Sequence, residues 1–154
     1  MTTTPDRIEK EILIRAPRSK VWKAISDRTE FGTWFGAKLG SGPFEAGESV
    51  RGNITIPQYD HVVMNLELVD VEPESRLSYR WHPYAVDAEV DYSTEPKTLV
   101  EFTLEDAPEG TLLRVVESGF DAIPLHRRAV AWKMNDGGWA AQVHNIERHV
   151  TATE

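Results

Sequence analysis

The sequence predicts an α+β fold in which a curved antiparallel sheet wraps a long helix near the C-terminal end of the chain. Apolar residues recur at every second position in several short segments, as in strands with one buried face. In the last long segment they recur every three or four positions, as on one face of a helix. Because the strand segments follow one another in a run before that helix, the order favours α+β over alternating α/β.

The first strand is predicted over residues 7–16, where Ile8, Ile12 and Ile14 share one face and charged residues occupy the other. Lys10 falls on the apolar face, where its aliphatic stem can lie along apolar surface while the ammonium group reaches water. Pro17 then opens a short helix, and a second short helical segment is predicted over residues 28–35. Two short helices therefore follow the first strand.

Five further strands are predicted in close succession, separated by turns rich in Pro, Asp, Glu and Gly. They cover residues 49–56, 61–71, 76–84, 98–105 and 111–120. The segment 61–71 is apolar on both of its faces, which predicts a β-bulge within it. Residues 36–47 are rich in glycine and are interpreted as a connection with a short edge strand, and residues 85–97 as an exposed acidic loop.

The long helix is predicted over residues 123–150, with Pro124 in its first turn. Its inner face is predicted to carry Trp132, Trp139, Val143, Ile146 and Val150, and its solvated face Arg127, Arg128, Lys133, Gln142 and Arg148. Gly137 and Gly138 interrupt it, and each glycine costs about 1 kcal/mol relative to alanine. The pair therefore indicates a close backbone approach, a kink, or room for another molecule.

Composition bounds the class of protein. The 154 residues suit one domain, residues 1–154 with a core at about 8–150. The absence of cysteine excludes disulfides, thiol catalysis and zinc–cysteine sites, and it is typical of a reducing compartment. The net charge of −8 argues against nucleic acid and anionic membrane surfaces as partners. Without an apolar run of membrane-spanning length or an N-terminal signal core, the expected location is cytoplasmic.

The chain resembles the START-like (SRPBCC) superfamily, whose opening strand and helix pair is similar to IRAPRSKVWKAISD and the following WFG. The activator of heat-shock-protein-90 ATPase-like branch is similar to three later segments, ELVDVEPESRLSYRW, TLVEFTLEDAPEGTLLRVVESGF and NDGGWAAQVHNIERHV. Its pattern falls here on Tyr79, Trp81, Val100, Phe102, Gly110, Thr111, residues 117–120, Gly138 and Trp139.

This resemblance implies the helix-grip fold, in which the curved sheet grips the C-terminal helix and a cavity lies between them. Members of the superfamily include ligand carriers, cyclases and a eukaryotic co-chaperone in which this module is one domain. The acidic insertion at residues 85–97 departs from the pattern and is expected to form or alter the rim of the cavity.

A set of mostly aromatic and apolar residues is expected to converge on the gap between sheet and helix. As ordinary core these residues stabilise the fold, and as a cavity wall they bind an apolar ligand. The candidate ligand-binding residues are Trp34, Phe35, Tyr79, Trp81, Phe102, Leu113, Val115, Glu117, Trp132, Asn135, Trp139 and Val143.

Glu117 is the one candidate with acid/base chemistry. It shares the parity of Leu113 and Val115, so it points toward the helix if those residues do. It then binds a ligand or acts as a general acid/base; alternatively it lies at the wet end of its strand or pairs with Arg114 or Arg80. A buried amide needs hydrogen-bond partners, so Asn135 either binds a ligand or bonds to a strand carbonyl.

The sequence thus favours a protein that binds a small hydrophobic molecule, and an enzyme is the weaker interpretation. The alternatives are an accessory protein of the heat-shock-protein-90 chaperone and a cavity enzyme that uses Glu117. The five histidines have no metal-binding spacing, and His82, on the opposite parity from Trp81, is expected to face solvent. There is no nucleophile elbow, dinucleotide fingerprint or P-loop. No metal or cofactor is therefore predicted, and the sequence leaves the oligomeric state open.

Overall fold

The strand segments form a six-stranded antiparallel sheet in the order β1-β6-β5-β4-β3-β2, which confirms the predicted fold class. The computed structural model describes residues 5–87 and 89–152. In chain order, the elements are β1 (Arg7–Ile14), α1 (Arg18–Ser26), α2 (Arg28–Phe35), β2 (Ser49–Asn53), β3 (Val63–Glu72), β4 (Arg76–Trp81), β5 (Thr98–Ala107), β6 (Gly110–Ser118), a 3₁₀ turn (Phe120–Ala122) and α3 (Leu125–Ala152).

The connections of the sheet place its first and last strands side by side. Strands β2 to β5 each pair with the next strand in the sequence, and β1 pairs with β6 along its whole length. Glu117 of β6 consequently lies between Ile8 of β1 and Val100 of β5, both of which are buried. Its backbone is therefore held in the interior of the sheet rather than at an edge.

The two short helices fold as one unit against the end of α3. Asp27 separates them, and its side chain caps α2 by accepting a hydrogen bond from the Glu30 backbone nitrogen at 3.0 Å. Gly36 ends α2 in the left-handed conformation with φ of 94°, which glycine adopts without steric cost. The indole nitrogen of Trp34 donates to the Ala24 carbonyl oxygen at 2.8 Å and so joins α2 to α1.

The predicted bulge lies in β3 and is confirmed. Leu68 is opposite Tyr79 and Asp70 is opposite Ser78, so Val69 is an extra residue with no partner of its own on β4. Such a bulge bends the strand and increases its twist, and here it moves the apolar residues of β3 from one parity to the other. Both parities of the segment can therefore be apolar within one curved strand.

Four predicted strands extend past the C-terminal ends of the observed ones, and the predicted edge strand does not form in the described part of the chain. β1, β4 and β6 end at Ile14, Trp81 and Ser118. β2 ends at Asn53 rather than at residue 56, because the next residue, Ile54, leaves the sheet and forms an isolated bridge with Ala37. The short edge strand predicted within residues 36–47 is absent among the described residues, where only the isolated bridges at Ala37 and Pro43 occur. This region is a connection that crosses in front of β2.

Helix α3 buries one face against the sheet and the two short helices. The buried positions are Ala131, Trp139, Val143, Ile146 and Val150. The Lys10 ammonium group reaches Asp136 on α3 at 3.0 Å, which satisfies the charge of the one basic residue on the apolar face of β1. Within residues 5–87 and 89–152, no helix is both long and apolar enough to span a membrane.

The two glycines of α3 do not face another backbone. A β-carbon placed on Gly137 or Gly138 would meet no atom of another part of the chain within 4 Å. The predicted close approach is therefore wrong, and the open-space alternative fits both positions. The helix is continuous through the pair, from Leu125 to Ala152.

Candidate functional site

Glu117 lies at the junction between the sheet and α3, and its side chain is 0% exposed. Its Oε2 accepts hydrogen bonds from Trp81 Nε1 at 2.8 Å and Thr98 Oγ1 at 2.6 Å. Its Oε1 accepts from Trp139 Nε1 at 2.8 Å, and Asn135 Nδ2 lies 3.0 Å from Oε1 and 3.2 Å from Oε2. The buried carboxylate is therefore bound by four side-chain donors.

Local structure explains how these donors meet. Trp81 ends β4 directly opposite Thr98, which begins β5, so the two side chains leave neighbouring strands at the same level. Asn135 and Trp139 are four residues apart on α3 and project from the same face of the helix. The carboxylate thus connects three strands to the C-terminal helix.

The groups that donate hydrogen bonds to Glu117 are all uncharged. Among the described residues no basic side chain forms an ion pair with it, and Arg114 instead pairs with Glu11 at 3.2 Å. Indole and amide N–H groups donate and cannot accept, so the donor set matches an ionised carboxylate. Glu117 therefore points inward with the parity predicted from the sequence, and it neither lies at a wet strand end nor pairs with Arg114 or Arg80.

The negative charge of Glu117 affects a second buried group. Tyr79 is 0% exposed, and its hydroxyl has no hydrogen-bond partner among the described residues. Burial raises the pKa of Tyr79 well above its usual value, and the charge of Glu117 raises that pKa further. The buried junction thus contains a carboxylate with four hydrogen-bond donors, Glu117, and a neutral hydroxyl without a partner among the described residues, that of Tyr79.

A cavity of about 410 Å³ opens on the outer side of this junction. Its wall comes from α2, the β2–β3 hairpin, the end of β4, the segment after β4, and α3. The lining residues are Phe35, Ile54, Ile56, Tyr59, Val62, Val63, Met64, Asn65, Trp81, His82, Tyr84, Ala85, Val86, Tyr92, Met134, Asn135 and Gln142. A cleft of about 100 Å³ shares part of this wall and adds Gly138 and Trp139.

The acidic segment, residues 85–97, forms part of the cavity wall through a clamp on α3. The Arg127 guanidinium group binds Glu95 at 2.7 Å, and their side chains are only 14% and 13% exposed. The same group lies 4.8 Å from the centre of the Tyr92 ring and 3.3 Å from the Tyr84 carbonyl oxygen. Ala85, Val86 and Tyr92 of this segment therefore line the cavity, in agreement with the expectation that the insertion forms or alters the cavity rim.

Two histidines hold the acidic segment from the other side. His82 Nε2 lies 3.0 Å from the Glu95 carbonyl oxygen, and His61 Nε2 lies 2.9 Å from that of Val86. A carbonyl oxygen can only accept, so each of these ring nitrogens carries its proton and donates. Lys97 adds an ion pair with Glu67 of β3. Contacts from both the helix and the sheet thus position this wall.

The structure separates the predicted ligand-binding residues into groups. Phe35, Trp81 and Asn135 line the cavity, and Trp139 lines the adjoining cleft. The remaining members lie outside this lining. Those packed in the hydrophobic core are Trp34, Tyr79, Phe102, Leu113, Val115 and Val143, and Glu117 lies behind Trp81 and Asn135.

Trp132, a predicted cavity residue, lies elsewhere in the structure. It is half-buried, and its indole nitrogen donates to the Arg7 carbonyl oxygen at 3.2 Å, at the start of β1. Ala131 takes the buried position in this part of α3. Trp132 thus packs against the hydrophobic core from the inner face of α3, as predicted, but it does not line the cavity.

Several wall residues were missed by the sequence reasoning. His82 was expected to face solvent, and Arg127 and Gln142 were placed on the solvated face of α3. His82 and Gln142 line the cavity, and Arg127 fixes its wall. The aromatic residues near the acidic insertion were the available signal, since tyrosines flanking and within a polar loop indicate a packed segment.

The arrangement is suited to binding. Glu117 does not line the cavity, and both of its oxygens are engaged by protein donors, so it presents no free oxygen to a bound molecule. No group of three or more metal-ligating side chains occurs within the described ranges, 5–87 and 89–152. What the cavity offers is aromatic and aliphatic surface with a few polar atoms.

Comparisons with known proteins agree with this architecture. The family described as "Activator of Hsp90 ATPase homolog 1-like protein" matches residues 15–151. Protein MLL2253 from Mesorhizobium loti is 27% identical, with a TM-score of 0.74 over 96% of this chain and 98% of that one. No curated protein matches the chain.

Two further solved structures are similar. DynU16, a putative protein in the dynemicin biosynthetic locus, is 27% identical with a TM-score of 0.72, and the match covers 95% of this chain and 47% of that one. The Aha1 dimer from Colwellia psychrerythraea is 14% identical with a TM-score of 0.70 over 94% and 95% of the two chains, a likeness of fold alone. With the family match spanning nearly all of the sequence, this chain belongs to the Activator of Hsp90 ATPase homolog 1-like family within the START-like superfamily.

Proposed function

We propose that this protein binds a small, largely hydrophobic molecule in the cavity between the β2–β3 hairpin, the acidic segment and α3. The observation that carries the proposal is the cavity itself. Its volume of about 410 Å³ is that of a ligand pocket, and its wall is mostly aromatic and aliphatic with a few polar side chains. A packed interior would have left no such space.

Hydrogen bonds and an ion pair hold the wall in place without a ligand. This supports a binding cavity rather than a gap left by poor packing. The Arg127–Glu95 ion pair and the two histidine contacts fix the acidic segment, while Glu117 fixes Trp81 and Asn135. A preorganised wall lowers the entropy cost of association. DynU16, the relative in a biosynthetic locus, is compatible with a role in the handling of a small molecule.

The neighbouring glycines of α3 provide a matched test. Gly138 lines the cleft beside Trp81 and Asn135, whereas Gly137 lines neither the cleft nor the cavity, and both have open space at the β-carbon. A leucine on a helix leans toward the preceding turn, so Gly138→Leu fills the space next to Asn135. Gly137→Leu makes the same change in helix propensity without entering the cleft.

The experiment is a calorimetric titration with 1-naphthalenemethanol, a neutral aromatic probe, together with its effect on the thermal midpoint. We expect saturable binding to the natural protein and a raised midpoint, because a ligand of the native state stabilises it by mass action. Gly138→Leu, which fills the cleft that shares its wall with the cavity, should weaken the binding, and Gly137→Leu should retain it. Absence of binding to the natural protein across a panel of neutral aromatic probes, or equal binding to both variants, would contradict the proposal.

A second candidate function follows from family membership. The family is described by activation of the Hsp90 ATPase, so a chaperone partner is the alternative to a small molecule. The test is the ATPase rate of heat-shock protein 90 with and without this protein. A reproducible rise that survives Gly138→Leu would favour the accessory role, since it would not depend on the cavity. An unchanged rate would remove it.

A further inference from the structure

We infer that the cavity selects ligands that carry a cationic amine on an aromatic body, over neutral and carboxylate analogues of the same shape. This inference rests on the proposed function, because it names the chemical class of the ligand for the same cavity. Three features of the wall carry it: the hydrogen-bond donors on its inner side, next to Glu117, are directed into the protein, acceptors on that side remain free, and its nearest uncompensated charge is negative.

The donors of the inner wall are already used. Trp81 Nε1 and Asn135 Nδ2 donate to Glu117, at 2.8 Å and 3.0 Å. His82 Nε2 donates to the Glu95 carbonyl oxygen at 3.0 Å, and Gln142 Nε2 donates to that of Phe35 at 3.3 Å. A ligand carboxylate needs donors to replace its hydration, so its transfer into this wall is costly.

Acceptors remain on the same wall. The Asn135 carbonyl oxygen, Oδ1, has no partner among the described residues, because the amide is oriented by its bond to Glu117. The ring of Trp81 lines both the cavity and the cleft, and its N–H group is bound to a carboxylate. An indole polarised in this way offers an electron-rich face, which is the preferred partner of a cation. The tyrosine hydroxyls and the Asn65 amide elsewhere on the wall can both donate and accept, so they favour neither sign of charge.

The charges near the wall also favour a cation. No lysine or arginine lines the cavity within the described ranges, and Glu117 lies directly behind Trp81 and Asn135 with no basic partner. Arg127, the basic group beside Tyr92, is neutralised by its ion pair with Glu95 at 2.7 Å. A buried uncompensated carboxylate attracts a cation across a few ångströms of protein far more strongly than it would through water.

The test compares three probes of nearly identical shape at about pH 7: 1-naphthylmethylamine, 1-naphthalenemethanol and 1-naphthoic acid, which are then cationic, neutral and anionic. We expect the amine to bind about tenfold more tightly than the alcohol, and the alcohol about tenfold more tightly than the acid. Since the net charge of −8 also attracts cations nonspecifically, the series is repeated in about 0.5 M sodium chloride, which screens surface charges and leaves buried ones. Gly138→Leu should weaken binding of all three probes.

The possible outcomes are distinct. Saturable binding of the alcohol with an acid that binds as tightly as the amine, or an amine preference lost in high salt, would overturn this inference and leave the proposed function standing. Failure of all three probes would remove the proposed function itself. As a second measurement, Glu117→Gln should reduce the amine-to-alcohol affinity ratio toward one, and if that variant does not fold, the order of affinities in the natural protein still decides.

Discussion

The side-chain amide Nδ2 of Asn135 on α3 donates hydrogen bonds to both carboxylate oxygens of Glu117 on β6, to Oε1 at 3.0 Å and to Oε2 at 3.2 Å. This contact joins the helix to the C-terminal end of β6, behind the cavity wall. It also fixes the direction of the amide, so that the nitrogen faces the protein and the oxygen faces away from Glu117. Glu117, which its parity suggested as a possible catalyst, therefore connects the sheet to the C-terminal helix.

Removal of the charge at Glu117 should destabilise the protein strongly. In Glu117→Gln, one acceptor oxygen becomes an NH₂ group that faces donors from Trp139 and Asn135 or from Trp81 and Thr98. Because buried donors then lose their partner, we expect a loss of about 3 kcal/mol in the free energy of unfolding by urea. Glu105→Gln, on the exposed end of β5, is the matched control and should leave the urea midpoint unchanged.

Replacement of Gly137 by alanine should stabilise the protein. The β-carbon would meet no other part of the chain within 4 Å, and the position lies in the interior of a continuous helix. We expect a gain of about 1 kcal/mol from helix propensity, or about 3 °C in the thermal midpoint of a chain of this length. A loss of stability would instead mean that α3 needs flexibility or strain at this point.

The tyrosine hydroxyl beside Glu117 should be dispensable. Tyr79→Phe removes a buried hydroxyl that has no partner among the described residues. We expect a gain of about 1 kcal/mol in the free energy of unfolding at neutral pH, because the unfolded chain no longer has to give up the hydration of that group. Tyr59→Phe, at the rim of the cavity, is the control and should be neutral in the same urea titration.

Tyr79 should also affect the stability of the protein at alkaline pH. Burial, and after it the charge of Glu117, raises the pKa of Tyr79 in the folded protein, while its pKa in the unfolded chain is about 10. With the folded pKa the higher of the two, the contribution to stability is complete below pH 10 and is lost as the pH rises from there toward the folded pKa. The free energy of unfolding should therefore fall less steeply above about pH 10 in Tyr79→Phe than in the natural protein. Parallel slopes would mean that the hydroxyl is already ionised or solvated in the native state.

The clamp on the acidic segment should control its local stability. Arg127→Met keeps the aliphatic stem and removes the ion pair with Glu95 and the contact with the Tyr84 carbonyl oxygen. We expect amide hydrogen exchange in residues 89–97 to rise about tenfold while the sheet keeps its protection. Arg114→Met breaks an exposed pair with Glu11 and should not change exchange in that segment, since exposed ion pairs contribute little.

The fold could be predicted from the sequence because its signals are local. Period-two alternation marked β1 and β6, and the parity of Leu113 and Val115 fixed the direction of Glu117. The bulge in β3 was predictable from its two apolar faces, but its position at Val69 depends on the register with β4, which only the paired strand supplies. Such pairing is a property of two distant segments.

The cavity could not be placed for the same reason. Core and wall use the same aromatic residue types, so the sequence does not distinguish Phe102, which is buried in the core, from Phe35, which lines the cavity. His82 was misplaced because β4 ends at Trp81, so strand parity no longer governs the next residue. Arg127 was misplaced because a helix face that looks solvated by periodicity is covered by a segment about 30 residues away, Glu95.

Three residues of the cavity wall, Ala85, Val86 and Tyr92, come from the acidic segment between β4 and β5, and the described residues of that segment add no strand to the sheet and no side chain to the buried core. Mutation, shortening or lengthening of that segment can therefore change what the cavity admits at little cost to folding. During evolution, this segment can change while the sheet and the long helix stay the same. Proteins that share this architecture at low sequence identity, as MLL2253 does at 27%, can thus differ in this segment while they keep the sheet and the long helix.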